Sequence, residues 1–201
     1  MPKPTSVDGK QLRELLLQSL EHERGGVEVY EAALECAVNE TLRREWTGYL
    51  EQTREHERVL RRTCRSLGMD PDGETPGRAV VRMVGQALVA AMKQALAAGP
   101  PAAAEIVACE CVVLAETKDH ADWELIGECA KSLDGVPGDA LREAYDAVED
   151  EEDEHLYHTK GWCRELWLKA LGLPAELPPP EEKRDVKSAM EAAAVEQARK
   201  R

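Results

Sequence analysis

The sequence predicts an all-α protein: an antiparallel four-helix bundle with a crossover helix and a C-terminal helical tail. Three observations carry this. Apolar residues recur at steps of three and four over segments far longer than a strand. Capping residues, prolines and glycines punctuate the ends of those segments. Ala, Glu, Leu and Arg dominate, Phe is absent, and β-branched runs are few. At 201 residues the chain is long enough for one domain with a sizeable core.

The first helix is expected from about Asp8 to Cys36, with Leu12, Leu16, Leu20, Val27, Tyr30 and Leu34 on one face. Gly25 and Gly26 either weaken it or allow a neighbour to approach closely. Asn39 caps a second helix ending near Gly68, whose seam reads Leu42, Trp46, Tyr49, Thr53, His56, Leu60, Cys64, Leu67. A turn follows at Met69-Asp-Pro-Asp-Gly73. Thr75-Pro76 starts a crossover helix running to about Ala97, its apolar side being Val80, Val84, Leu88, Met92 and Leu96.

After the break at Gly99-Pro-Pro, the next helix covers about Ala102 to Leu133, with seam Ala103, Ile106, Glu110, Val113, Thr117, His120. Gly135-Val-Pro-Gly138 reads as a loop. One last bundle helix is expected from about Asp139 to Leu171, with seam Leu141, Tyr145, Val148, Glu152, His155, Thr159, Trp162, Leu166. The bundle then spans residues 8–172, a proline-rich linker 173–180, and a charged helical tail 181–201.

The formal charge of −13 argues against nonspecific nucleic-acid binding and suits attraction of cations. No apolar run is long enough to span a bilayer, and Met-Pro-Lys-Pro is no signal peptide, so a cytoplasmic protein is expected. The six cysteines lack any Cys-x-x-Cys pair and read mainly as small, reduced core residues.

Against this apolar pattern, five seam positions carry acids and histidines: Glu23, His56, Glu110, Glu152 and His155. Burying such groups is costly unless something pairs with them, and metal ions would. A carboxylate-bridged dimetal site in a four-helix bundle takes one Glu from each of two helices and a Glu-x-x-His pair from each of the others. Residues three apart share a helical face, so both can reach the same ions. Carboxylates and imidazoles together suit Fe or Mn. Glu110 with Glu152-Asp-Glu-His155 fits this rule in the second half of the chain. In the first half Glu23 and His56 fit, but the carboxylate place at 53 is Thr53. Glu51, Gln52 or Glu55 could fill it only through a helix distortion or a water. One ion or two are both compatible with this set.

Around these residues a resemblance emerges. The chain resembles the ferritin-like superfamily of ferritin, bacterioferritin, rubrerythrin and their relatives. The stretch Tyr49-Leu-Glu-Gln-Thr-Arg-Glu-His56, running on to Leu67-Gly-Met-Asp-Pro71, is similar to bacterial ferritin-like stress proteins of the YciF-like type. Those have a His-Leu-Glu-Glu-Thr stretch followed by a Leu-Gly end. The resemblance covers about residues 12–170. It implies a ferritin-like bundle and Glu23, His56, Glu110, Glu152 and His155 as ligands of one or two Fe or Mn ions. It also implies a homodimer or higher homo-oligomer, but it carries over no activity; O2 or peroxide are expected as reactants only if the metal site is active.

The remaining polar residues read as ordinary structure. His120 is expected to partner an acid or Thr117, about 15 Å along the helix from Glu110 by the usual rise. His22 and His158 are expected to be exposed, and Glu116, Asp119 and the 149–154 acids to form a solvated face. Tyr30, Tyr49 and Tyr145 are core aromatics, or electron donors to oxidised metal. Two functions therefore compete. One is a metal carboxylate protein with oxidase, ferroxidase or peroxide-reducing activity in stress or metal homeostasis. The other is a non-enzymatic stress or scaffold bundle with a vestigial, mononuclear or absent metal site.

Overall fold

The computed structural model describes residues 7–174; the tail and most of the linker lie outside the described residues. It is all-helical, with no strand among the described residues. The helices are α1 Gly9–Cys36, α2 Glu40–Ser66, α3 Pro76–Ala98, α4 Pro101–Ser132, α5 Gly135–Asp146 and α6 Glu149–Ala170. The predicted caps form. Asp8 accepts from the backbone N–H groups of Lys10 and Gln11, Asn39 from those of Thr41 and Leu42, and Thr75 from that of Arg78.

Two apolar cores reveal the direction of each helix. One joins Val29–Ala37 of α1 and the following turn, Leu42–Leu50 of α2, Ala104–Ala115 of α4, and Trp162 and Leu166 of α6. The other joins Leu12–Leu20, Val59–Cys64, Trp123–Ala130 and Leu141–Val148. Along the chain the bundle helices therefore run up, down, down and up, with α5 and α6 forming the last. Two successive downward helices need a long return connection, and α3 supplies it, packing on α1 and α4.

The polar residues occupy the layer between these cores. α1 packs closely on α2 and α4, and α4 on α6, whereas backbone contact between α2 and α6 is sparse. Side chains bridge that wider seam instead: His56 to Glu151, Gln52 to His155, Tyr49 to His158, and Glu45 to Trp162.

Gly25 and Gly26 serve close approach. A Cβ on Gly26 would stand 3.1 Å from Thr53 Cγ2, and one on Gly25 would stand 4.0 Å from the Gly85 Cα of α3.

Three expectations are corrected. The last bundle helix is broken at Ala147–Val148, and the expected loop at 135–138 is the first turn of α5. Pro137 is tolerated there because first-turn amides need no intrahelical partner, and Gly138 lies so close to the Leu133 carbonyl that no Cβ fits. The crossover helix buries Arg78, Val81 and Met92, while Val80, Val84 and Leu96 are exposed. Arg78 is buried because its guanidinium donates to Glu21 at 2.7 Å and to the carbonyls of Pro71 and Gly73 at 2.7 and 3.0 Å. Finally, α4 is rotated from its expected seam: Ala108, Val112, Ala115, Glu116, Asp119 and Trp123 are buried. Neighbours on three sides make α4 apolar nearly all round, so periodicity alone does not select its inner face.

Candidate metal centre

Between the two cores, α1 presents Glu23, α2 presents His56, α4 presents Glu116 and Asp119, and α6 presents Glu152 and His155. All six are buried. Glu23, His56 and Glu152 offer ligand atoms within 4.8 Å of one another, and so do Glu116, Glu152 and His155. Glu152 belongs to both groups.

The imidazoles are oriented by their outer nitrogens. His56 Nε2 lies 2.7 Å from Glu151 Oε2, and a carboxylate only accepts, so Nε2 carries the proton. His155 Nε2 donates to the Gln52 side-chain carbonyl at 2.9 Å. In the neutral rings both Nδ1 lone pairs then face inward. His56 Nδ1 stands 2.7 Å from Glu152 Oε1 and 3.9 Å from Glu23 Oε2. His155 Nδ1 stands 3.6 Å from Glu152 Oε1 and 3.7 Å from Glu116 Oε2. An outer hydrogen bond that fixes tautomer and ring angle is the usual support of a metal-ligating histidine.

None of these inward atoms is satisfied. Glu23 Oε2, Glu116 Oε2, Asp119 Oδ1, both Glu152 oxygens and the Nδ1 atoms of His56 and His155 are buried without a hydrogen-bond partner. Acceptors crowded on acceptors repel one another unless protons or cations lie between them. Burial, then the Asp119 charge, pushes the Glu23 carboxyl well above its ordinary range. Burial, then Glu116 and Glu23, does the same to Glu152, and burial, then Glu152 and Glu116, to Asp119. Burial works in the same direction on Glu116, but a protonated His155 outweighs it and lowers that carboxyl.

The surroundings are tightly built. Trp123 Nε1 donates to Glu23 Oε1 at 2.9 Å, fixing one oxygen and leaving the other inward. The Tyr49 ring lies 4.3 Å from the His155 ring, and Tyr30 meets it edge-on at 6.0 Å. Glu45 gathers Trp162 Nε1 at 2.6 Å, His158 Nδ1 at 2.9 Å and the Tyr49 hydroxyl at 3.1 Å. Burial raises the thiols of Cys109 and Cys111, which sit in the apolar core and stay protonated.

Four of the five sequence-predicted residues converge: Glu23, His56, Glu152 and His155. Glu110 does not. It is exposed and accepts from Trp167 Nε1 at 2.9 Å, because the rotation of α4 carries it outward. Glu116 and Asp119, expected on a solvated face, take the inner positions instead. Their spacing of three, the same as that of Glu152 and His155, was the available signal. His158 is buried rather than exposed, and His22 is half-buried with Nε2 on the Ala115 carbonyl at 3.0 Å. His120 pairs with Asp153 at 3.2 Å, as its expected structural role requires.

Compared with known proteins, the chain matches no family model, no curated protein and no solved structure. Its chemistry is read from its own donors. Four carboxylates and two imidazoles make a hard, anionic donor set without thiolates.

Proposed function

We propose that this chain is a ferritin-like dimetal carboxylate protein with oxidase, ferroxidase or peroxide-reducing activity. The supporting observation is the set of buried, unpartnered acceptor atoms on Glu23, His56, Glu116, Asp119, Glu152 and His155. Glu23 with His56 would hold one ion, Glu116 with His155 the other, and Glu152 would be shared.

Thr53 is the departure from the expected pattern, and Asp119 answers it. Thr53 turns its hydroxyl back to the Tyr49 carbonyl at 2.9 Å and rests its methyl near Gly26, so it offers the site no oxygen. Asp119 reaches the same layer from α4 and restores the fourth carboxylate. When bound, Fe or Mn ions supply Lewis acidity and, with O2 or peroxide, electron transfer. The chain's own groups do the rest. The carboxylates balance the cation charge, Glu151 and Gln52 hold the imidazole rings in place, and the two apolar cores exclude bulk water.

The test is anaerobic loading with Fe(II), followed by addition of O2. The proposal expects stoichiometric binding and O2 consumption faster than that of free Fe(II). Binding without accelerated O2 consumption would leave a structural metal site in a scaffold bundle. No binding would remove the metal reading.

A further inference from the structure

A cavity of about 200 Å³ lies on the bundle surface beside the break between α5 and α6. Glu124, Glu149, His120 and Asp153 line its mouth, and Trp123 and Glu152 reach its floor. Both floor residues are 1% exposed, and both belong to the metal layer: Trp123 donates to Glu23, and Glu152 has two unpartnered oxygens. We infer that this cavity is the entry route for divalent cations, with Glu124, Glu149 and Asp153 as a transit site that passes them to Glu152. The inference rests on the dimetal reading above.

Three features fit such a route. The acids stand at its mouth in a chain of net charge −13, so the field draws cations inward. The break makes Glu149–Glu152 the first turn of a new helix, where the dipole favours acidic side chains. Four carboxylates and His120 line it beside the rings of Trp123, Tyr145 and Tyr157, whereas the separate cavity beside α3 is walled by Val29, Val81, Val84 and Leu88. His120 spans the mouth, with Nδ1 3.2 Å from Asp153 and Nε2 3.6 Å from Glu124. An arriving cation replaces that imidazole as the partner of the two acids.

Stopped-flow absorption of Co(II) binding tests this on the full chain. The double variant Glu124→Gln/Glu149→Gln should load about tenfold or more slowly, and added salt should slow it less than it slows the wild type. Final Co(II) stoichiometry and the far-ultraviolet circular dichroism spectrum should match wild type. A control variant, Glu35→Gln/Glu40→Gln, removes the same charge from exposed positions around the α1–α2 turn, away from the cavity, and should load at close to the wild-type rate. Asp153→Asn provides an independent second variant with the same expected slowing. Wild-type loading rates in both mouth variants, or equal slowing in the control, would overturn the route while leaving the metal centre intact. A wild-type protein that takes up no Co(II) at equilibrium would overturn the centre and the route together.

Discussion

His56 Nδ1 and Glu152 Oε1 lie 2.7 Å apart, both side chains 1% exposed, without the alignment of a hydrogen bond. The outer nitrogen of His56 is already committed to Glu151, so a ring with one proton has none to offer Glu152. Two acceptor atoms therefore face each other in a low-dielectric layer, and either a proton on Glu152 or a cation between them removes the repulsion.

Glu152→Gln should act in opposite directions with and without metal. Removing one buried acid from a crowded cluster should stabilise the metal-free protein by about 1–3 kcal/mol. The same change should lower metal stoichiometry, because Glu152 is common to both donor groups. Denaturant melts and elemental analysis check the two halves separately. Destabilisation of the metal-free form would show that Glu152 holds the fold together by itself.

Asp119→Asn and Glu110→Gln separate the two readings of α4. Asp119→Asn should weaken metal binding about tenfold or more, the scale of losing one support of a metal site. Glu110→Gln should leave binding unchanged, since Glu110 is exposed and bonded to Trp167. Isothermal titration with Mn(II) checks both, and the reverse pattern would restore the expected seam.

Much of this centre was legible in the sequence because α1, α2 and the last helix have one-sided apolar stripes. An acid or histidine interrupting such a stripe, as Glu23, His56 and Glu152 do, points inward whatever surrounds it. The α4 helix is different. It packs on α1, α3, α5 and α6; its Ala108, Cys109, Cys111 and Ala115 are buried, Ile106 and Val113 are half-buried, and Leu114 is exposed. With apolar residues on every side, the stripe does not fix its rotation, and Glu110 stood in for Glu116. The break at Ala147–Val148 had no local signal, since no proline or glycine marks it. Arg78, drawn inside by Glu21 rather than by periodicity, was equally invisible.

Thr53→Glu should destabilise the metal-free protein by a few kcal/mol and should not raise metal stoichiometry. The residue is 3% exposed, its methyl packs by Gly26, and in the proposed centre Asp119 would already supply the fourth carboxylate. Thermal melts with elemental analysis check this. A gain in bound metal would show that Asp119 does not fill the vacant role.

Metal-free protein should lose stability as pH rises from mildly acidic values. Burial first, and neighbouring acids second, raise Glu23, Asp119 and Glu152 above their ordinary values. The folded state then holds protons that the unfolded chain releases above about pH 4. This stabilisation is complete below the unfolded pKa and is lost as pH climbs through the folded ones. Denaturant midpoints at pH 5 and pH 8 should fall in that order, and the fall should be smaller in Glu152→Gln. An identical pH dependence in the variant would contradict the assignment.

Arg78→Ala should cost about 3–5 kcal/mol, because Glu21 would lose its buried partner. Arg78 also ties Pro71 and Gly73 to α3, so the connection between α2 and α3 should become susceptible to proteolysis. A melting temperature within a degree of wild type would show that Arg82, which donates to Glu21 at 2.5 Å, suffices alone.

The most direct test of the central claim is the number of ions each chain holds after anaerobic reconstitution, with the thermal midpoint measured before and after chelation. The account predicts two Fe(II) or Mn(II) ions per chain, a midpoint raised by loading and restored by chelator, and loss of both effects in Glu152→Ala. Wild-type protein that binds no ion and melts identically with and without chelator would contradict it.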